Sequence, residues 1–231
     1  MELQPIRTQA PYAQEVSLGQ NRVLRNTYLL LALSLIPTAI GAVIGTNIQM
    51  GFLRTSPMLS FFAILAVFYG WIYAIERNRE SAVGVGLLLG FTLFLGLLLG
   101  PLFQQILGLR NGAQLIMMAA GGTAAVFFAM AGIASSTKRD LSGLGKFLAI
   151  GAIVIMLAVV ANVFFASPVF YLVIVSAFVL FSSLIIMYQV NQIVRGGETN
   201  YISATLTLYI AIYNLFSSLL QLLGIFGGNR D

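Results

Sequence analysis

The stretch Gly196-Gly197-Glu198-Thr199-Asn200-Tyr201, followed by an apolar run that ends near Gly224, decides how the chain is read. The run is long enough to cross a bilayer, for which a helix needs about 20 apolar residues. Yet Thr207, Ala211, Asn214, Ser218 and Gln221 recur along it at steps of four, three, four and three, which puts a small or polar stripe on one helix face. Lipid offers such a stripe no hydrogen-bond partner, so that face is expected to turn toward other helices or a water-filled space. The segment reads as a central helix packed inside the others.

Working back along the chain, six more apolar segments precede it. The seven spans are read as 26–46, 57–75, 81–103, 114–136, 143–165, 168–192 and 201–227. Only 8% of the 231 residues are charged and 59% are hydrophobic, whereas about a quarter of the residues in a soluble domain are charged. The fold class is therefore an all-α membrane protein of seven transmembrane helices; the segments lack the roughly 10-residue alternation of a β-barrel. Residues 1–25 are polar and interrupted by Pro5, Pro11 and Gly19, and read as a mobile tail ahead of a 26–231 membrane domain.

The chain has no cysteine and no histidine, which removes disulfides, thiolate chemistry, the usual zinc sites and a histidine switch. No Asp, Glu, Lys or Arg falls in the middle of a span, so a proton pump or a carboxylate cation site lacks its ionisable group at membrane depth. Intramembrane proteolysis lacks a base or a metal set. No enzymatic activity, cofactor or metal site is expected.

The net charge of +5 comes from short basic clusters between the spans, the pattern of topology signals, and needs no nucleic-acid partner. Arg7, Arg22, Arg25, Arg77, Arg79, Lys138, Arg139, Lys146 and Arg195 fall on one side, against Arg54, Arg110 and Arg230 on the other. The N-terminus is accordingly expected in the cytoplasm and the C-terminus outside. Arg22, Arg25, Arg77, Arg79, Lys138 and Arg139 read as a cytoplasmic basic rim suited to anionic headgroups of the lipid bilayer.

Gly86-x-x-x-Gly90, Gly96-x-x-x-Gly100 and Gly121-Gly122 have the spacing that lets helix backbones approach closely, and Gly100-Pro101 is a candidate hinge. Gln104-Gln105 and Arg110-Asn111-Gly112 read as a polar external loop. Inside the membrane the neutral polar residues include Asn162, Ser182, Ser183, Gln189, Asn191 and Asn214. They suit interhelical hydrogen bonds of about 0.6 kcal/mol each. The alternative is a hydrated path between the sixth and seventh spans, with Gln189 and Asn214 lining one cavity.

Val23-Leu24-Arg25-Asn26-Thr27-Tyr28, Leu99-Gly100-Pro101, Gly121-Gly122-Thr123-Ala124, Gly196-Gly197-Glu198-Thr199-Asn200-Tyr201, Leu208-Tyr209 and Tyr213-Asn214 together resemble the bacterial YccA branch of the Bax inhibitor-1 (TMBIM) family, from about Arg22 to Gly224. The resemblance implies six helices around a central seventh, in a bacterial inner membrane. It also implies two activities. One is restraint of the membrane-bound ATP-dependent protease FtsH and its accessory complex, as a substrate-like inhibitor; the other is a pH-sensitive calcium or cation leak channel. The family's paired sensor aspartates correspond here to Gln189 and Ala211, neither of which titrates. Protease restraint, acting through the N-terminal tail, is therefore the expected function; cation permeation and small-molecule transport are the alternatives.

Overall fold

The computed structural model describes residues 9–48, 56–137 and 139–228. Met1 to Thr8 of the expected tail, Arg7, Arg54, Lys138 and Arg230 lie outside them. Among the described residues seven helices follow one another: α1 (Gln9–Asn47), α2 (Pro57–Arg77), α3 (Ala82–Leu107), α4 (Gly112–Ser136), α5 (Leu144–Phe165), α6 (Pro168–Arg195) and α7 (Tyr201–Gly227). All seven are long and apolar enough to cross a membrane, and no strand occurs among the described residues.

Two boundaries differ from the sequence reading. Helix α1 begins at Gln9, so residues 9–25 of the segment read as a tail are helical and continuous with the first span. Pro11 does not prevent this, because a proline in the first turn of a helix gives up an N–H that has no intrahelical partner. Helix α3 runs through Gly100-Pro101 to Leu107, so Gln104 and Gln105 are helical and the polar loop shrinks to 108–111. Proline is tolerated there because neighbouring helices can occupy the freed backbone.

The tightest pair is α1 with α3. A Cβ added to Gly96 would run into the Thr38 carbonyl, and one added to Gly100 would run into the backbone of Gly45. Gly41 is equally closed: an added Cβ would stand 2.9 Å from the Leu97 nitrogen. The expected close approach at Gly96 and Gly100 is thus met by a second pair, Gly41 and Gly45, on α1. Gly86 and Gly121 have open space beside them, and a Cβ on Gly90 would meet only the Trp71 ring. Those three do not bring backbones together.

Helix α7 packs against α6, α4, α1, α3 and α2, whereas α5 packs chiefly on α6. The consecutive residues Ile202, Ser203, Ala204, Thr205 and Leu206 are all buried, so the first turns of α7 are enclosed on every side. Around them lies the main apolar cluster, which includes Leu88, Phe91, Leu95, Ile186, Val190, Leu208, Tyr209, Ala211 and Leu215. Leucine, isoleucine and valine faces turned outward, such as Leu29, Leu59, Ile153, Leu157 and Leu180, match a lipid surround.

Candidate functional site

Most of the polar residues that the sequence singles out fall at the two ends of α7, and the ends differ. At the basic end, α6 closes with Gly196 in the left-handed conformation (φ 78°), which most side chains avoid. The Gly196 N–H donates to the Ile193 carbonyl and that of Gly197 to the Gln192 carbonyl, at 3.1 and 2.8 Å, the pairing that satisfies the last carbonyls of a helix. The chain then turns into α7 through Asn200. Its Oδ1 accepts from the N–H groups of Ile202 and Ser203 at 2.9 and 3.1 Å, capping the helix. Its Nδ2 donates to the Arg79 carbonyl and to Glu80 Oε1, both at 2.9 Å. Ser203 Oγ donates to Glu76 Oε2 at 2.9 Å, and Arg79 lies 3.5 Å from the same carboxylate. The turn that the sequence singled out is therefore a clasp between the α2–α3 connection and the start of α7.

The basic rim is spread around this end. Arg22, Arg25, Arg77, Arg79 and Arg139 are exposed. Arg195 donates to the Thr137 carbonyl at 3.3 Å. Asn191, fully buried, holds the α4–α5 connection: its Oδ1 accepts from Leu141 N–H at 3.1 Å and its Nδ2 donates to the Ala134 and Arg139 carbonyls at 3.3 and 3.4 Å. Asp140 Oδ1 accepts from the Ser142 N–H at 2.8 Å, and hydrogen bonding from Ser142 holds its carboxyl below the usual carboxylate range.

Halfway along, a hydroxyl network joins three helices. Tyr209 Oη lies 2.6 Å from Thr38 Oγ1 on α1 and 3.3 Å from the Thr92 carbonyl on α3. Thr205 Oγ1 reaches the Thr27 carbonyl at 3.3 Å. The sequence quoted Tyr209 only as part of a motif; nothing in its spacing marks it as the residue that ties α7 to α1.

The opposite end is looser. Crevices of about 310, 410 and 680 Å³ meet at Tyr171 and Gln221. The smallest is lined by Asn162, Asn214, Ser217 and Ser218 with Phe61, Val175 and Phe178; the largest reaches Gln104 and Gln105. Asn214, Ser218 and Gln221 of the sequence stripe thus face open space. Gln189 and Ala211 do not: they line none of these crevices. Gln189 is 6% exposed and Ala211 1% exposed, the latter inside the main apolar cluster. The structure does not bring Gln189 and Asn214 to one of these cavities. Gln104 is a capping residue, its Nε2 donating to the Thr46 carbonyl at 2.8 Å, and Asn111 does the same for the Gly227 carbonyl at 2.7 Å.

Among the described residues no group of His, Cys, Asp or Glu is placed to hold a metal.

Comparison with known proteins gives the relationship directly. The family model described as "Inhibitor of apoptosis-promoting Bax1" matches residues 20–228. A protein of Escherichia coli K12 named "Modulator of FtsH protease YccA" is 39% identical, covering 93% of this chain and 94% of its own. An uncharacterised protein of Neisseria meningitidis serogroup A is 46% identical over 90% of this chain and 92% of its own. An uncharacterised membrane protein of Vibrio cholerae is 36% identical over 93% and 94%. With the match running from residue 20, within α1, to just past the end of α7, this chain belongs to the Bax inhibitor-1 family.

Proposed function

We propose that this protein is a non-enzymatic, multi-pass inner-membrane modulator of an FtsH-type protease, acting as a substrate that the enzyme engages and cannot readily extract. The observation that carries the reading is the 39% identity, along nearly the whole chain, to the relative named as a modulator of that protease. A relative in a second Escherichia coli strain is named an inner membrane protein, which supports the location. Six helices around a central α7, with the basic end in the cytoplasm, fits the enclosure of residues 202–206 and the placement of the arginines.

The N-terminal segment is the handle in this reading. A 25-residue segment reaches roughly 80 to 90 Å when fully extended, which requires the helical residues 9–25 to unwind first. Because helix α1 begins at Gln9, a pull on the N-terminus loads α1 directly, and α1 is fastened by its glycine seam with α3 and by Thr38 to Tyr209. Extraction must break that seam as a unit, which slows it.

The test is crosslinking in membranes followed by isolation of the protease with its accessory complex. The full-length chain is expected to co-isolate; a variant lacking residues 2–20 is expected to lose association and to leave turnover of other membrane substrates unrestrained. Equal association and unchanged turnover in the deletion variant would remove the tail mechanism, and absence of the protease from the full-length isolate would remove the partnership. Cation permeation has less support, because Ala211 sits among Leu208 and Leu215 in the apolar cluster and not beside a polar path.

A further inference from the structure

Among the described residues, those lining the crevices at the far end of α7 include no charged side chain, which constrains what can occupy them. A phosphate headgroup would require a cationic partner and a divalent ion would require carboxylates. What the 310 Å³ crevice offers is a set of neutral hydrogen-bonding groups beside an apolar wall, at the lower end of the volume range of small-molecule sites, about 300–1,000 Å³. One of its lining residues, Asn162, has an Oδ1 that is buried with no hydrogen-bond partner, an acceptor that a turn of the side chain would bring to a donor in the crevice.

The position of this site points to the source of the donor. Asn162 stands in the last turn of α5 and Tyr171 in the first turn of α6, so both lie at the ends of their spans. Val175 and Phe178 continue inward along α6 toward the hydrocarbon, with Phe61 of α2 opposite. Helices α2 and α5, which contribute the two outer walls, do not pack substantially on each other. The crevice is therefore open sideways to the bilayer between them.

We propose that this crevice binds an uncharged single-chain glycerolipid, a monoacylglycerol-type amphiphile, entering from the bilayer between α2 and α5. Its hydroxyls donate to Asn162 and exchange hydrogen bonds with Ser218 and Gln221, while its chain lies along Val175, Phe178 and Phe61. A chain of the same length without hydroxyls leaves Asn162 unsatisfied, and an anionic head finds no countercharge among the described lining residues.

The experiment uses the full chain in nanodiscs with a monoacylglycerol carrying a photoreactive group on its acyl chain, followed by mapping of the labelled residues. Labelling is expected on α2, α5 and α6 around the crevice, and to be displaced by monooleoylglycerol at concentrations at least fivefold lower than by methyl oleate or by anionic lysophosphatidylglycerol. Asn162→Leu is expected to raise the displacing concentration about fivefold, the value of one hydrogen bond. If that variant fails to fold, Phe178→Trp, which fills the crevice without touching a polar group, is expected to abolish the localised labelling. Labelling spread evenly over the lipid-facing surface, or equal displacement by methyl oleate, overturns the proposal. No protease takes part, so failure here is distinct from failure of the proposed function.

Discussion

The Tyr209 hydroxyl of α7 and the Thr38 hydroxyl of α1 lie 2.6 Å apart inside the bundle. Thr38 Oγ1 also stands 2.7 Å from the Ser34 carbonyl. Both short bonds are made when Tyr209 donates to Thr38 and Thr38 donates to Ser34. The pair links two helices that are adjacent in space and far apart in sequence, at a depth where water does not compete. Removing the tyrosine hydroxyl is expected to cost about 1 kcal/mol, since hydrogen bonds between membrane helices average about 0.6 and reach about 1.7. Tyr209→Phe, Thr38→Val and the double variant, compared by reversible unfolding in detergent, are expected to be less than additive. Strict additivity would mean that the two hydroxyls do not act on each other.

The glycine seam makes a sharper contrast. Gly100→Ala places a methyl group against the Gly45 backbone, which cannot move aside as a flexible side chain would. Gly86→Ala places the same group in open space. The first is expected to lose about 1–3 kcal/mol or more, the second to stay within about 0.5 kcal/mol of the parent. Thermal unfolding of the two purified proteins decides it; similar melting temperatures would show that α1 and α3 are free to separate.

Asn200 does two jobs with one side chain, capping α7 and holding the α2–α3 connection. Asn200→Ala is expected to cost about 1–2 kcal/mol and to raise hydrogen exchange at residues 198–205 and 78–81 together. Asn200→Asp keeps the cap acceptor and loses the donor to Arg79 and Glu80, so exchange is expected to rise in the connection alone. A rise confined to α7 in both variants would separate the two jobs.

Ala211 occupies a site with no room in its energetics for a lone carboxylate. Ala211→Asp is expected to destabilise the bundle by about 3 kcal/mol, the scale for an acidic side chain at the centre of a membrane helix. With Gln189 and Ala211 in place, calcium flux into liposomes is expected to be independent of pH across the neutral range, because neither side chain binds a proton. Acid-sensitive flux in the unaltered protein would require a sensor elsewhere.

Much of this architecture was legible in the residues because the bilayer imposes one rule on every segment. A span of about 20 apolar residues must satisfy its backbone internally and so must be a helix. That rule is local, and it located seven helices from hydropathy alone. The turn Gly196–Asn200 was legible for a similar reason: a glycine pair followed by a short polar residue is the local chemistry of one helix ending and another beginning. Along the stripe on α7, Ala211 and Ser218 are buried and Thr207, Asn214 and Gln221 half-buried, a difference that periodicity could not show.

What only the tertiary structure decided is which groups meet. The sequence by itself determined that Gly96 and Gly100 were spaced for close packing, but their partners, Gly41 and Gly45, lie on a helix that is not adjacent in the chain. It offered Gln189 and Asn214 as neighbours across one cavity, whereas Asn214 lines the crevice and Gln189 lines none of the crevices described. Asn162 was legible only as one neutral polar residue within a span and Tyr171 carried no signal; they come to line one crevice only when α5 and α6 are folded against each other. Local backbone chemistry is written in spacing along the chain; contact between helices depends on side-chain shape at long sequence separation, and that is set only when the whole bundle closes.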